Sequence, residues 1–76
     1  MDAIEQNVLD ILHTELDREK VTLLDNLSKD LHLDDIDLTL LQFALEEDYN
    51  IEILDEDMAL WVTVNDVVEY VKQKEE

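Results

Sequence analysis

The apolar residues Ile4, Val8, Ile11, Leu12 and Leu16 recur at spacings of three and four. That rhythm predicts an amphipathic helix from about Asp2 to Leu16 with one buried stripe. Asp2, followed three residues later by Glu5, predicts a capping box, and both acids suit the positive end of the helix dipole. From Asp17 to Asp34 the rhythm is lost, although Val21, Leu24, Leu27 and Leu31 remain as apolar anchors, so this stretch predicts a long loop tacked onto the rest of the fold. The period returns behind Asp34, a candidate cap with Asp37 three positions on. Leu38, Leu41, Leu45 and Tyr49 then form a core stripe expected to face the first helix. Asn50 is suited to the left-handed stop. Ile36, Leu40 and Phe43, continued by Glu47, make a second line rotated away from that stripe. This is more apolar surface than one core contact requires, so part of it should be exposed.

Further on, Ile51-Glu52-Ile53 alternates, and the acid-rich run from Asp55 to about Leu60 predicts a short helix. Thr63 and Asp66 have capping-box spacing ahead of a last helix, whose stripe is Val64, Val67, Val68 and Val71. β-Branched residues mildly disfavour helix, but the caps and the period outweigh them, and Lys72 and Lys74 complement the C-terminal dipole. Gln73 to Glu76 should fray. The expected fold is all-α: one domain over residues 1–76, a four-helix bundle of three longer helices and a short third.

Charge then narrows the partners. With 22 acids against 5 Lys and Arg, the formal net charge is -17. Nucleic acid and anionic membrane are disfavoured by repulsion, and basic protein surfaces are favoured. Hydrophobic residues make up 46% of the chain, too many for a disordered acidic tail. There is no cysteine to build a disulfide or a thiolate metal site, and no glycine or proline, so Asn and Asp must punctuate the helices. His13 falls on the polar face of the first helix with no catalytic partner placed beside it, and His32 lies in the loop beside Asp34 and Asp35, where a solvated side chain is weighed above a metal ligand. The acids from Asp48 to Asp57 lack the calcium-loop pattern. No metal and no catalytic residues are expected. The N-terminal residues lack the flank and apolar run of a secretory leader, and no segment approaches membrane-spanning length, so a cytoplasmic monomer is expected.

The four helices and the acidic start of the second resemble the acyl carrier protein family. Its members carry Asp-Leu-Gly-x-Asp-Ser-Leu-Asp there, where this chain has Asp30-Leu31-His32-Leu33-Asp34-Asp35-Ile36-Asp37. Ala44-Leu45-Glu46-Glu47-Asp48-Tyr49 with Ile51-Glu52-Ile53 is similar to the family's next segment. Thr63-Val64 and Val68-Glu69-Tyr70-Val71 are similar to the start and end of its last helix. The resemblance implies a non-enzymatic carrier of fatty acid, polyketide or related acyl biosynthesis, bearing a 4'-phosphopantetheine arm on the motif serine. Its implied partners are acyl-processing enzymes (synthases, acyltransferases and the phosphopantetheinyl transferase) that bring basic surfaces to the second helix. On matching positions, partner contact falls to Asp34, Ile36, Asp37, Leu40, Phe43, Glu46 and Glu47, and an acyl-sheltering space to Leu38, Leu45, Leu60, Trp61 and Val67.

Four departures qualify what the resemblance implies. Asp35 stands where the family has the attachment serine, and a carboxylate has no hydroxyl to join to phosphate. A natural loss and an engineered Ser-to-Asp change both account for it. Thr39 and Ser28 carry nearby hydroxyls but lie outside the motif. His32 replaces the motif glycine, Leu40 a commonly acidic position, and Trp61 a smaller aliphatic residue, which is expected to narrow the acyl space. Because the serine is missing, an acidic helical interaction or inhibitor module that binds a basic protein is the alternative reading.

Overall fold

A computed structural model describes residues 2–75. Its elements are α1 (Ala3–Thr14), α2 (Asp35–Tyr49), α3 (Asp55–Met58) and α4 (Val64–Glu75). The all-α reading holds. Among the described residues the one strand-like feature is an isolated antiparallel bridge between Asn26 and Thr63.

Each long helix starts where its acids can satisfy unpaired N–H groups. Glu5 N donates to Asp2 Oδ1 at 2.8 Å, and Asp2 N reaches back to the Glu5 side chain. Asp37 N donates to Asp34 Oδ1 at 2.8 Å, with the reciprocal bond from Asp34 N. At α4, Asp66 N donates to Thr63 Oγ1, while Val62 N and Thr63 N both donate to Asp66 Oδ2. Those backbone bonds hold the Asp66 carboxyl below its ordinary pKa despite some desolvation. Asn50 ends α2 in the left-handed conformation, at φ 53°.

The valines of α4 (Val64, Val67, Val68 and Val71) are fully buried and pack with Val8, Ile11 and Leu12 of α1 and Leu41 and Leu45 of α2. Burial of such side chains stabilises by about 1.5–3 kcal/mol each, which overrides the weak helix propensity of valine. Helix α1 packs on both α4 and α2. Asn7 Nδ2 ties it to Tyr49 Oη and Asp48 Oδ2, both at 3.1 Å. Lys72 Nζ ties α4 back to Asp2 at 2.6 Å.

The loop before α2 is held by its own polar groups. Asn26 Oδ1 accepts from Ser28 N and Lys29 N, and Asn26 N donates to Asp30 Oδ2. Leu27 N donates to Val62 O, Val64 N to Asp25 O, and Asn65 N to Leu23 O, which fastens the loop to the turn before α4.

Some expectations are corrected. Leu24 is not an anchor: it is 86% exposed, and Leu23, Leu27, Leu31 and Leu33 turn inward instead. Helix α3 ends at Met58, beyond which Leu60 N and Trp61 N close tighter turns on Asp57 O and Met58 O. Helix α4 runs to Glu75, through the stretch expected to fray, with Lys72 held by Asp2; Glu76 lies outside the described residues. Leu38 lines a recess together with Met58 and Trp61.

Candidate functional site

The site builds on the first turn of α2. Asp34 caps the helix, Asp35 is its first residue, and Asp37 completes the box. Asp34 and Asp35 are exposed, whereas Asp37 is partly covered because Arg18 Nη2 lies 3.0 Å from its Oδ2. The same guanidinium donates from Nε to Leu31 O at 2.7 Å and also reaches the carbonyls of Leu16 and His32. One arginine thus fixes the loop to the helix start. His13 Nδ1 stands 2.9 Å from the Arg18 carbonyl oxygen and flanks this clamp. His32 is held at φ 54°, the left-handed region that glycine enters most readily.

The hydroxyls of Thr39 and Ser28 are already engaged. Thr39 Oγ1 donates to Asp35 O at 2.9 Å, and Ser28 Oγ to Asn26 Oδ1 at 3.1 Å. Asp35 itself presents a carboxylate, which has no hydroxyl to join to a phosphate. Among the described residues no group of His, Asp and Glu is placed to hold a metal ion.

Along α2 the second apolar line is exposed: Ile36 at 71%, Leu40 at 47% and Phe43 at 59%. Leu40, Phe43 and Ala44 line a shallow groove of about 270 Å³ rimmed by Glu15, Glu47 and Asp48. Glu46 is turned inward, its Oε2 accepting from Ile53 N at 2.8 Å. Of the acids assigned to partner contact, Asp34 and Glu47 therefore face water, while Asp37 and Glu46 also hold the fold together.

The residues assigned to an acyl space divide. Leu45 and Val67 are fully buried core. Leu38 and Trp61 line a recess of about 290 Å³ with Leu27, Leu33, Met58 and Val62. Leu60, assigned to the same space, is 76% exposed and does not line that recess.

Pattern reading missed Gln42. It is buried on α2, and its Nε2 donates to Ile53 O at 2.7 Å and Asp55 Oδ1 at 3.2 Å, fastening the connector and α3 to α2. The signal was present: Gln42 lies four residues after Leu38 and three before Leu45, inside the apolar stripe.

The sequence model of the phosphopantetheine attachment site family matches residues 2–71. An acyl carrier protein of Rickettsia canadensis is 33% identical over 76 aligned positions, 97% of this chain and 88% of the relative; that of Rickettsia typhi is equally similar. A solved structure of a candidate acyl carrier protein from Mycobacterium tuberculosis superposes with a TM-score of 0.87 at 28% identity, covering 93% of this chain and 97% of that one. The acyl carrier protein of Thermotoga maritima, at 22% identity and a TM-score of 0.78 over 95% of this chain and 91% of that one, shares the fold.

Proposed function

We propose, starting from the fact that this chain belongs to the acyl carrier protein family, that it performs the recognition half of a carrier's work without the covalent half. Acyl carrier proteins are non-catalytic, and this chain is not an enzyme; 4'-phosphopantetheine is the family's cofactor. The observation that carries the proposal is Asp35, exposed at the attachment position as the first residue of α2. Whether inherited or introduced, the carboxylate blocks phosphodiester formation and leaves the docking face in place. That face presents Asp34, Glu47 and the accessible edges of Asp37 and Glu46 to Lys and Arg. Ile36, Leu40 and Phe43 supply its apolar contact.

The partners are the basic surfaces of cytoplasmic acyl-processing enzymes of fatty acid, polyketide or related synthesis, met by a monomer. Leu40, in place of an acidic family position, makes the partner set narrower and more apolar. Leu38 and Trp61 line the space a carried chain would use, with Leu45 and Val67 behind, and the bulk of Trp61 narrows it. The missing hydroxyl also favours a second reading, an acidic module that inhibits a basic protein target.

Calorimetric titration of the chain into a phosphopantetheinyl transferase or a ketoacyl synthase tests the first reading. Phe43→Ser should weaken binding roughly tenfold or more, as for an apolar anchor at an interface. Equal affinity of the variant, or no binding to any acyl-processing enzyme alongside tight binding to a basic nuclease, would favour the second reading.

A further inference from the structure

A groove of about 440 Å³ lies between the turn after α3 and the outer side of α4, and no residue of α2 lines it. Trp61 and Tyr70 meet there edge to face, their centroids 5.4 Å apart and their planes at 72°. Leu60 stands exposed at the lip, and Val62, two residues on in the same connector to α4, is also exposed. Trp61 Nε1 is buried without a hydrogen-bond acceptor among the described residues. Tyr70 Oη donates to Asp57 Oδ2 at 2.8 Å, and burial together with that carboxylate pushes its pKa up to about 12. The tyrosine therefore stays a neutral donor.

Charge and aromatic geometry define what this groove accepts. Asp57, Asp66 and Glu69 line it against a single cation, Lys74. Asp66 is engaged by the α4 cap, whereas Glu69 is exposed and, like Lys74, enters no ion pair among the described residues. The Lys74 ammonium lies 5.5 Å from the Tyr70 ring centroid. It is an internal stand-in: an alkylammonium over an aromatic face, with carboxylates at the rim.

We propose that this groove is a second docking face, which takes a basic, partly apolar segment of a protein partner. An aliphatic side chain of that segment packs on Leu60 and Trp61, and its lysine or arginine replaces Lys74 over Tyr70, within the field of Asp57 and Glu69. A second copy of this chain is disfavoured, because each copy carries a formal charge of -17. The surface is separate from the α2 line, so one molecule has room to bridge two basic partners. The inference does not rest on the fate of Asp35.

The test is an NMR titration of the ¹⁵N-labelled chain, at about 0.15 M salt to suppress diffuse attraction, with a short amphipathic peptide bearing arginine on one face and leucine on the other. Saturable shifts are expected at the Trp61 indole N–H and at the amides of Leu60, Tyr70 and Lys74. Leu60→Ser and Glu69→Lys, both changes of exposed side chains, should each weaken binding roughly tenfold, and Phe43→Ser should change it less than about twofold. The same peptide with glutamate in place of arginine should leave the spectrum unchanged. Shifts centred on Ile36 and Phe43, no saturation, or equal losses in all three variants would overturn the proposal. So would concentration-dependent movement of the groove signals in the chain alone, which would identify a second copy as the occupant.

Discussion

Arg18 and Asp37 meet at 3.0 Å between Nη2 and Oδ2, joining the end of the first turn after α1 to the first turn of α2. Because the same guanidinium also donates to the carbonyls of Leu16, Leu31 and His32, it replaces a run of backbone bonds that an irregular loop cannot make for itself. Arg18→Ala should cost about 1–3 kcal/mol, the range for charge-assisted bonds in partly covered sites. Thermal melting by circular dichroism would read this as a fall of roughly 4–8 °C per kcal/mol. Arg18→Lys should recover only part, since an ammonium lacks the planar fork. Full recovery by lysine would show that charge alone is at work.

His32 holds a left-handed backbone at φ 54° directly ahead of the site. A side chain there costs about 1–2 kcal/mol, and glycine relieves that at the expense of roughly 0.4–1 kcal/mol of unfolded-state entropy. His32→Gly should therefore stabilise the fold slightly, raising the urea midpoint with an unchanged slope. A lower midpoint would mean that the imidazole makes a contact worth more than the strain.

Gln42→Leu tests the buried amide. The substitution keeps the apolar stripe continuous but leaves Ile53 O without the donor it has at 2.7 Å. The expected loss is about 1–3 kcal/mol, and amide exchange should quicken in the connector from Ile51 to Asp55 more than in α1. Neutral or improved stability would show that the connector finds another donor.

At the other end of the bundle, the backbone N–H of Glu5 and the Lys72 ammonium hold the Asp2 carboxyl down to about 2 from an ordinary 3.8. The folded-state pKa is the lower one, so the stabilisation is complete above about 3.8 and is lost as pH falls toward 2. Asparagine still caps a helix. Asp2→Asn should thus melt below the parent at neutral pH, with the gap closing across that acid window. A gap independent of pH would assign the effect to the cap rather than the charge.

The helix starts were legible because Asp2 with Glu5, Asp34 with Asp37, and Thr63 with Asp66 each satisfy N–H groups that every helix leaves open, and Asn50 marks a stop for equally local reasons. The exposed line Ile36, Leu40 and Phe43 was legible because α2 carries two apolar stripes and one core. The loop was not. Between Asp17 and Asp34 no period assigns a face, so Leu24 and Leu27 look alike in sequence, while backbone bonds to Val62 and Thr63's neighbours send one outward and one inward. The bonds that Glu46 and Gln42 make were hidden for a related reason. Both serve carbonyls or amides of Ile53, a partner whose position depends on how the chain returns after α2.

Intact-mass spectrometry tests most directly the proposal that Asp35 alone separates this chain from covalent carriage. The chain and its Asp35→Ser variant would each be incubated with coenzyme A and a promiscuous phosphopantetheinyl transferase. Expected is one added phosphopantetheine group on the serine variant and no change in the parent. An unmodified Asp35→Ser variant, or a modified parent, would contradict the claim.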